Sequence, residues 1–554
     1  MTRSTVITSS DHWRCKLLFV SAAVLAVVVT GCAGTGPLRP GLRPEVVRPP
    51  RGAVIFLCDG LQPDIMDNGC RGGWLPNIQH YFIERGTRVE HAITIVPSIT
   101  YAAISTLTTG TRPHQHRILG NRWYDPRQRL FRNYAVIEHY RDVNVDIPTD
   151  VPTIHEYLES DYTVSIQAAH MRGVTRNIAN WAQSGVRWFF GAYTGVDALT
   201  SETVAKVARE ANSGAPWPTL LMCYYPGLDS VGHLYGPSSP EYRTGLEHFD
   251  RVLGRACDWL EAEGLLETTY IVLVSDHGMV DVEPEGYIDL MHLVRDEWGR
   301  NATDRMLQDG SRAGRQRYFD KFDTVVAYQD GRKALLYFAG PDGWDERPPP
   351  ELVSEILTAP PGEQRLWNQA GIDLVAYLAG PNEVVVRSPR GTARILERAG
   401  ETGPEYQYIP SDGDPLDYLS ETDQAEFING GYHSSRAWLE ATCEHGFPNI
   451  VPHLGPLLRE PRSGQVLVFT TPGYSFVSEL GGHGGIDRAE MRVPFILAGP
   501  GIEAGATIRC ACVSDLVPTL LDLLGHPPPS DCILDGVALF DTILAGDEKL
   551  MVQP

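Results

Sequence analysis

Three patterns that would each point to a class of protein are missing from this sequence of 554 residues. Basic residues are few, with 47 Lys and Arg against 69 Asp and Glu and a formal net charge of −22. Such a surface repels phosphate backbones, so nucleic-acid binding is not expected. The 10 cysteines form no CxxC…CxxC or Cys/His cluster typical of a thiolate metal site. No apolar run after residue 31 is long enough to cross a bilayer. The remainder, 43% apolar and 21% charged, is ordinary globular composition.

The N-terminus has the pattern of an export signal. Arg3, Arg14 and Lys16 precede an apolar run over 17–29, which ends in Val-Thr-Gly-Cys32. This ending resembles the bacterial lipobox, so we expect a signal peptide over 1–31, a lipid on Cys32 and a Pro-rich tether over 32–50. The protein would then lie in a bacterial cell envelope, facing the periplasm or exterior, and contact the membrane through its lipid anchor only. The alternative is a plain secretory signal with an incidental cysteine.

Short apolar runs that lead into acidic residues indicate the fold. The runs over 53–58, 219–223 and 270–274 are followed by Asp59, Asp229 and Asp276. Continuous apolar runs of this length are typical of strands buried on both faces of a parallel sheet. Helix-length segments such as 241–263 lie between them. We therefore expect an α/β fold, a mostly parallel sheet sandwiched by helices, with the acidic residues at the carboxyl ends of strands where ligands bind.

A change of pattern divides the chain. The stretch from 284 to 463 is rich in Pro, Gly and Asp turns but contains strand-like pieces such as 383–387. We interpret it as an inserted α+β cap subdomain between an N-terminal core part, 51–283, and a C-terminal core part, 464–554. Within the latter, 466–470 and 494–498 are expected to return to the core sheet, and 514–524 to form a short helix.

Polar residues beside these strands and beside glycines are candidates for chemistry. They are Asp59, Thr100, Asn121, Asp229, His233, Asp276, His277 and His483. Each alone has a simpler explanation, since Asp before Gly and Asn after Gly usually mark turns and Thr often begins a helix. Together they are harder to explain in that way, because most of the carboxylates and imidazoles fall at strand ends. We expect them to converge on one site.

Carboxylates and imidazoles are ligands of borderline divalent cations, zinc above all, although such sites also accept Mn²⁺ or Fe²⁺. Two such ions roughly 4 Å apart can contact both the attacking and the leaving oxygen of a phosphoryl displacement. A hydroxyl on one of them loses its proton readily, which would make Thr100 a nucleophile at mild pH. The pattern favours an enzyme that acts on a small phosphate ester with two divalent metal ions.

The order Asp, Thr, Asp-x-x-x-His, Asp-His, His resembles the alkaline phosphatase superfamily, and most of all its nucleotide pyrophosphatase/phosphodiesterase branch. The resemblance covers about 51–280 and 464–540. It implies an alkaline phosphatase-like core that hydrolyses phosphodiester or pyrophosphate bonds with two zinc ions. The ligands that it implies are Asp229, His233 and His483 for one ion, and Asp59, Asp276, His277 and Thr100 for the other.

The same resemblance assigns the catalytic residues. Thr100 would attack phosphorus and form a phospho-threonine intermediate. The segment Thr109-Gly110-x-x-Pro113-x-x-His116 closely matches the one that follows the branch's nucleophile, and Asn121 falls where the branch has an Asn that binds a phosphate oxygen.

One departure leaves the substrate open. Members of the branch often follow the nucleophile with an aromatic residue and then Pro-Asn-His, whereas this chain has Tyr101-Ala-Ala-Ile. Nucleotide specificity is therefore not implied. A phosphomonoesterase or phosphonate hydrolase of the same fold stays as an alternative, with Arg112 and Arg117 as candidates to bind a dianionic monoester. A headgroup transferase or a non-catalytic binding lipoprotein are further alternatives.

Overall fold

The structure, a computed structural model, describes residues 52–179, 181–420, 422–539 and 543. The expected signal peptide, the lipidation site Cys32 and the tether lie outside the described residues. Among the described residues, no helix is both long and apolar enough to cross a membrane.

The apolar runs form the centre of a mixed sheet, which contains nine strands in the described part of the chain. From one edge to the other its order is Arg492–Val493, Gly86–Ile93, Phe495–Ala498, Thr269–Val274, Gly52–Cys58, Leu220–Tyr225, Thr163–Ile166 and Arg176–Ile178, and Thr507–Cys512 pairs with Gly86–Ile93. The five strands from Thr269–Val274 to Arg176–Ile178 run parallel. Phe495–Ala498 joins this group in the antiparallel sense.

Both faces of the central strand are covered, which explains its unbroken apolar sequence. Alternate side chains of Gly52–Cys58 pack into two separate cores, with Ala53, Ile55 and Leu57 in one and Val54, Phe56 and Cys58 in the other. The first core is closed by helices Thr100–Thr109 and Leu516–Leu523, and the second by Pro63–Arg71, Thr194–Asn212 and Pro240–Ala262. The predicted α/β sandwich is confirmed.

The helix expected over 241–263 is Pro240–Ala262, and its start has a clear local cause. The Ser239 hydroxyl accepts the backbone N–H of Tyr242 at 3.0 Å, and Pro240 occupies the first helical position, where its missing N–H costs nothing. The helix expected over 514–524 is Leu516–Leu523, preceded by a 3₁₀ turn at Val513–Asp515.

A second sheet, mostly antiparallel, is built from the middle of the chain. Its order is Ala302–Thr303, Thr324–Gln329, Lys333–Phe338, Val466–Thr470, Ile372–Gly380, Glu383–Ser388, Gly391–Ala399, Pro404–Gly413 and His433–Ser434. The expectation that 466–470 returns to the core sheet is wrong, because Val466–Thr470 pairs with Lys333–Phe338 and Ile372–Gly380. An apolar run shows that a strand is buried on both faces but does not show which sheet accepts its hydrogen bonds. The longer helices of this region are Arg312–Phe319, Pro350–Thr358, Thr422–Asn429, Ser435–Thr442 and Val451–Arg459.

Two small sheets complete the described strands. Arg122–Asp125 and Leu130–Asn133 form a hairpin. Val280–Tyr287 pairs with Gly473–Ser475 and with Gly481–Gly482, and this pairing brings a segment from residue 480 onward to the edge where the central strands end. An isolated bridge also places Gly331, in the turn between Thr324–Gln329 and Lys333–Phe338, beside His483.

A buried acid links two helices at this edge of the sheet. Asp197, in helix Thr194–Asn212, is 1% exposed and accepts the backbone N–H of Gly227 at 3.0 Å. Gly227 begins helix Gly227–Tyr235, which contains Asp229 and His233. Burial raises the pKa of Asp197 to about 8, although the Gly227 hydrogen bond partly opposes the shift.

This raised pKa predicts a pH-dependent contribution to stability. Between about pH 4 and pH 8 the folded protein holds a proton on Asp197 that the unfolded chain has released, so the unfolding free energy falls as pH rises. Asp197→Asn keeps an oxygen acceptor for Gly227 but does not titrate. Urea unfolding at several pH values should therefore show the variant gaining stability relative to wild type as pH rises through this interval, and parallel curves would contradict the assignment.

Candidate metal centre

The ends of two neighbouring parallel strands supply three of the expected ligands. Asp59 follows Gly52–Cys58 directly, and Asp276 and His277 follow Thr269–Val274 after one intervening residue. Leu57 lies opposite Val274 in the register, so both chains leave the sheet at the same edge. All three side chains are almost completely buried there.

The first group of ligands is Asp229, His233 and His483. Asp229 and His233 lie one turn apart on helix Gly227–Tyr235, with 3.4 Å between Asp229 Oδ1 and His233 Nε2. His483 follows the short strand Gly481–Gly482, and its Nε2 lies 3.1 Å from His233 Nε2 and 3.7 Å from Asp229 Oδ1. The donor atoms of all three lie within 4.8 Å of one another, close enough to share one metal ion.

The second group surrounds His277. Its Nε2 lies 3.1 Å from Thr100 Oγ1, 3.2 Å from Asp59 Oδ1 and 3.5 Å from Asp276 Oδ2. Asp229 also lies within 4.8 Å of the Asp59 and His277 donor atoms, so the two groups adjoin. The rings of His277 and His483 stack with their centroids 3.6 Å apart. The structure therefore brings together all seven residues that the sequence analysis proposes as ligands.

The hydrogen bonds of the three imidazoles determine which nitrogen faces the cluster. Nδ1 of His277 lies 2.9 Å from the Gly278 carbonyl, Nδ1 of His483 lies 3.0 Å from the Ser98 carbonyl, and Nδ1 of His233 lies 3.0 Å from the Gly481 carbonyl. A carbonyl only accepts, so each Nδ1 must carry a proton and each ring has its Nε2 facing the cluster. The Nε2 atoms of His233 and His483 lie 3.1 Å apart, so one proton or one cation must lie between them. Although burial opposes the shift, Asp229 and Glu479 raise the pKa of His233 to about 10, which shows that this position favours positive charge.

The carboxylates also favour a bound cation, because they have buried oxygens without partners. Among the described residues, Asp59 Oδ1, Asp229 Oδ1 and Asp276 Oδ2 are buried without a hydrogen-bond partner. Burial and the neighbouring Asp229 hold the pKa of Asp59 well above its usual range, and burial and Asp59 do the same to the pKa of Asp276. Burial together with His277 and His233 lowers the pKa of His483. Such a cluster must take up either protons or cations, and the donor set of carboxylate and imidazole fits divalent metal ions.

Thr100 and Asn121 lie next to each other at this edge. Thr100 is the first residue of helix Thr100–Thr109, and the backbone N–H of the following Tyr101 donates to Asn121 Oδ1 at 2.9 Å. Since the amide oxygen of Asn121 is engaged in this way, its NH₂ group is the part that can donate to a bound anion. Arg112, in contrast, is buried and donates to Ser435 Oγ and the Pro452 carbonyl, and Arg117 is exposed at a left-handed turn.

Two polar contacts were not expected from the sequence. The Tyr224 hydroxyl donates to Asp59 Oδ2, and Glu479 Oε2 lies 2.9 Å from His233 Nδ1. Tyr224 lies within an apolar strand, where a tyrosine is expected to be part of the hydrophobic core. Glu479 comes four residues before His483, and the only signal was its proximity in sequence to the Gly481–Gly485 motif.

The fold is alkaline phosphatase-like, as comparison with a solved structure shows. The murine ectonucleotide pyrophosphatase/phosphodiesterase 5 superposes with a TM-score of 0.53 at 16% identity, covering 89% of this chain and 100% of that chain. Residues 53–315 match the family model described as type I phosphodiesterase / nucleotide pyrophosphatase. Over this segment the chain is similar to that family, and the predicted resemblance is confirmed.

Curated relatives match just under half of the chain. A pyrophosphatase/phosphodiesterase of Schizosaccharomyces pombe is 25% identical over 260 residues, 44% of this chain and 50% of its own length. The bis(5'-adenosyl)-triphosphatase ENPP4 of Bos taurus is 26% identical over 267 residues, 48% of this chain and 53% of its own length. The chain thus spans about half the length of these two relatives.

Because several carboxylates lie close together, we expect Asp59→Asn to change the unfolding free energy in opposite directions without metal and with metal. In chelator-treated protein, Asp59→Asn should raise the unfolding free energy, because it removes a carboxyl group whose ionisation is opposed by burial and by Asp229, while it keeps an acceptor for Tyr224. With zinc at 100 times its Kd, wild type should gain about 2.7 kcal/mol per site and the variant less. Urea unfolding at neutral pH with EDTA or zinc measures both, with the exposed Asp342→Asn as control. An equal zinc response in wild type and Asp59→Asn would rule out Asp59 as a ligand.

Proposed function

We propose that this protein is a metal-dependent phosphohydrolase that cleaves phosphodiester or pyrophosphate bonds through a covalent intermediate on Thr100. One observation carries the proposal: the only alcohol among the expected residues lies 3.1 Å from the Nε2 atom of His277, which itself lies 3.2 Å from Asp59 Oδ1. A nucleophile in that position can be deprotonated and reach a phosphorus atom held by the same cluster.

Two divalent cations are proposed as cofactors, with zinc preferred by the donor set. Asp229, His233 and His483 would hold one, and Asp59, Asp276 and His277, with Thr100, the other. When bound, such ions acidify a nearby hydroxyl or water and neutralise charge on a transferring phosphoryl group. The described residues supply the geometry for this chemistry, because Nδ1–H of each imidazole is held by a carbonyl and every Nε2 faces the cluster.

Thr100, Asn121 and Tyr224 have different roles in the proposed reaction. Thr100 attacks phosphorus and the leaving alcohol or phosphate departs; water then cleaves the phospho-threonine and restores the threonine hydroxyl. Asn121, oriented by its bond to the Tyr101 N–H, donates from its amide nitrogen to a non-bridging phosphate oxygen. Tyr224 holds Asp59 in place through its hydroxyl.

The proposed substrate is a small phosphate ester. A matched relative is named bis(5'-adenosyl)-triphosphatase, and an inactive form of the murine structural relative is in complex with AMP. These names support a nucleotide-type diester or pyrophosphate as the first class to assay. The replacement of Pro-Asn-His by Ala-Ala-Ile after Tyr101 keeps lipid headgroup diesters and phosphonates in the same screen.

The cellular setting is proposed from the N-terminal sequence. The basic residues, the apolar run and Cys32 support an exported lipoprotein of a bacterial cell envelope, anchored by lipid alone and facing the periplasm or exterior. The excess of acidic residues supports small molecules rather than nucleic acids as partners. Metabolic labelling with a fatty-acid probe, compared between wild type and Cys32→Ala, tests the anchor.

Removal of the Thr100 hydroxyl should nearly abolish catalysis, while Asp59, Asp276 and His277 remain as ligands of the same ion. Thr100→Ala is expected to lower kcat for bis-p-nitrophenyl phosphate by about three orders of magnitude or more, while Thr100→Ser keeps measurable turnover. The exposed Thr244→Ala, in helix Pro240–Ala262, serves as the matched control. Turnover by Thr100→Ala that also survives EDTA would disprove the mechanism. Preference for p-nitrophenyl phosphate would shift the proposal to a monoesterase.

Asn121 should act mainly on the transition state. Asn121→Ala is expected to cost about 1.5–3 kcal/mol, or about 10- to 150-fold in kcat/KM, the range for a hydrogen bond to a charged group. Asn121→Asp keeps the acceptor for the Tyr101 N–H but replaces the donor with a negative charge, so it should be slower still. If both variants turn over substrate at the wild-type rate, Asn121 is a turn residue without a catalytic task.

A further inference from the structure

A buried glutamate lies against the side of His233 that faces away from the ligand cluster. Glu479 Oε2 is 2.9 Å from His233 Nδ1, and the Glu479 side chain is 9% exposed. The same Nδ1 lies 3.0 Å from the Gly481 carbonyl. Both partners are acceptors, so Nδ1 carries the proton. The Nε2 atom is left to bind a cation together with Asp229 and His483.

The carboxylate of Glu479 is held from its other side as well. Its Oε1 accepts the Ser475 hydroxyl at 2.8 Å. Two glycines make room for it, because an added Cβ would lie 1.7 Å from Oε1 at Gly331 and 2.7 Å from Oε1 at Gly482. Gly331 also has a left-handed φ of +86°, which disfavours larger residues there. The packing around Glu479 thus fixes the carboxylate beside His233.

The three imidazoles of the cluster differ in this respect. Nδ1 of His277 and Nδ1 of His483 lie against backbone carbonyls, of Gly278 and Ser98, whereas His233 has a carboxylate in addition. The two ligand groups also differ in the number of carboxylates that they contain. The group of Asp59, Asp276 and His277 contains two carboxylates, but the group of Asp229, His233 and His483 contains one. With Glu479, the second group also has two negative charges at close range.

We infer that Glu479 is a positioning residue that strengthens cation binding by the group of Asp229, His233 and His483 through its contact with His233 Nδ1. The inference rests on the proposed two-cation site and adds a residue to it. A carboxylate behind an imidazole ligand increases the electron density on the coordinating nitrogen and fixes the ring plane, and loss of such a partner typically weakens metal binding 10- to 100-fold. Glu479 itself contacts neither the Thr100 hydroxyl nor Asn121 in any hydrogen bond of the described residues.

The test is a metal titration of full-length protein freed of metal by chelation. Zn²⁺ is added in competition with a chromophoric chelator, first to wild type and then to Glu479→Gln, with the exposed Glu267→Gln as control. We expect two tight sites in wild type and in the control. In Glu479→Gln we expect one unchanged site and one about 10- to 100-fold weaker. Visible spectra of the Co²⁺-loaded proteins should change in only one of two sets of bands, and excess zinc should restore kcat.

The outcomes separate this inference from the proposed function. Two tight sites in wild type with unchanged affinities in Glu479→Gln overturn the inference alone, and so does an equal weakening of both sites. Fewer than two sites in wild type overturn the two-cation proposal and the inference with it. If Glu479→Gln loses its cooperative unfolding, Ser475→Ala replaces it, since this variant keeps the carboxylate but removes its anchor. A smaller weakening of the same single site then supports the inference, and no change refutes it.

Discussion

The structure depends on a concentration of unpaired negative charge and nitrogen lone pairs at one edge of a buried sheet. Asp59, Asp229 and Asp276 each direct a buried carboxylate oxygen that has no hydrogen-bond partner among the described residues toward the same place. In the absence of cations this arrangement is unfavourable, because burying charged groups without partners costs several kcal/mol. The fold tolerates it because the strands that end there are fixed by apolar packing on both faces, as in Gly52–Cys58. Apolar packing in the core therefore offsets the free-energy cost of burying these carboxylates.

A buried arginine also links the second sheet to this edge. Arg332, fully buried in the turn that follows Thr324–Gln329, contacts Asp487 Oδ2 at 2.9 Å and Glu490 Oε2 at 3.1 Å. The other oxygen of Glu490 accepts the Gly485 N–H at 2.8 Å, and the Gly485 carbonyl accepts the Ser98 hydroxyl at 2.8 Å. The Ser98 carbonyl in turn binds Nδ1 of His483. This chain of contacts joins the turn at Arg332 to His483 and to the segment that leads into Thr100, so both sheets contribute to the relative position of these two residues.

What the sequence could reveal followed from local periodicity. Unbroken apolar runs predicted buried parallel strands, and the register of Gly52–Cys58 against Thr269–Val274 then necessarily brings Asp59 next to Asp276 and His277. The four-residue spacing of Asp229 and His233 placed them on one helical face by the same reasoning. The assignment of 466–470 was wrong because burial alone does not select a partner strand. Glu479 and Tyr224 were missed because their contacts, with His233 and Asp59, span 246 and 165 residues of chain.

The position of His483 shows why the site needed long-range structure as well as a motif. The glycines around it allow many backbone paths, so the sequence Gly-Gly-His-Gly-Gly by itself fixes no direction for the imidazole. Pairing of Gly481 and Gly482 with Asp281 and Val280 removes that freedom, and the bridge to Gly331 removes more. A Cβ at Gly481 would lie 2.3 Å from the Gly232 carbonyl, so the close approach that brings His483 to His233 requires a residue without a side chain. Pairing and close contacts thus fix residues that would be flexible in the unfolded chain, and they determine where His483 lies in the candidate metal centre.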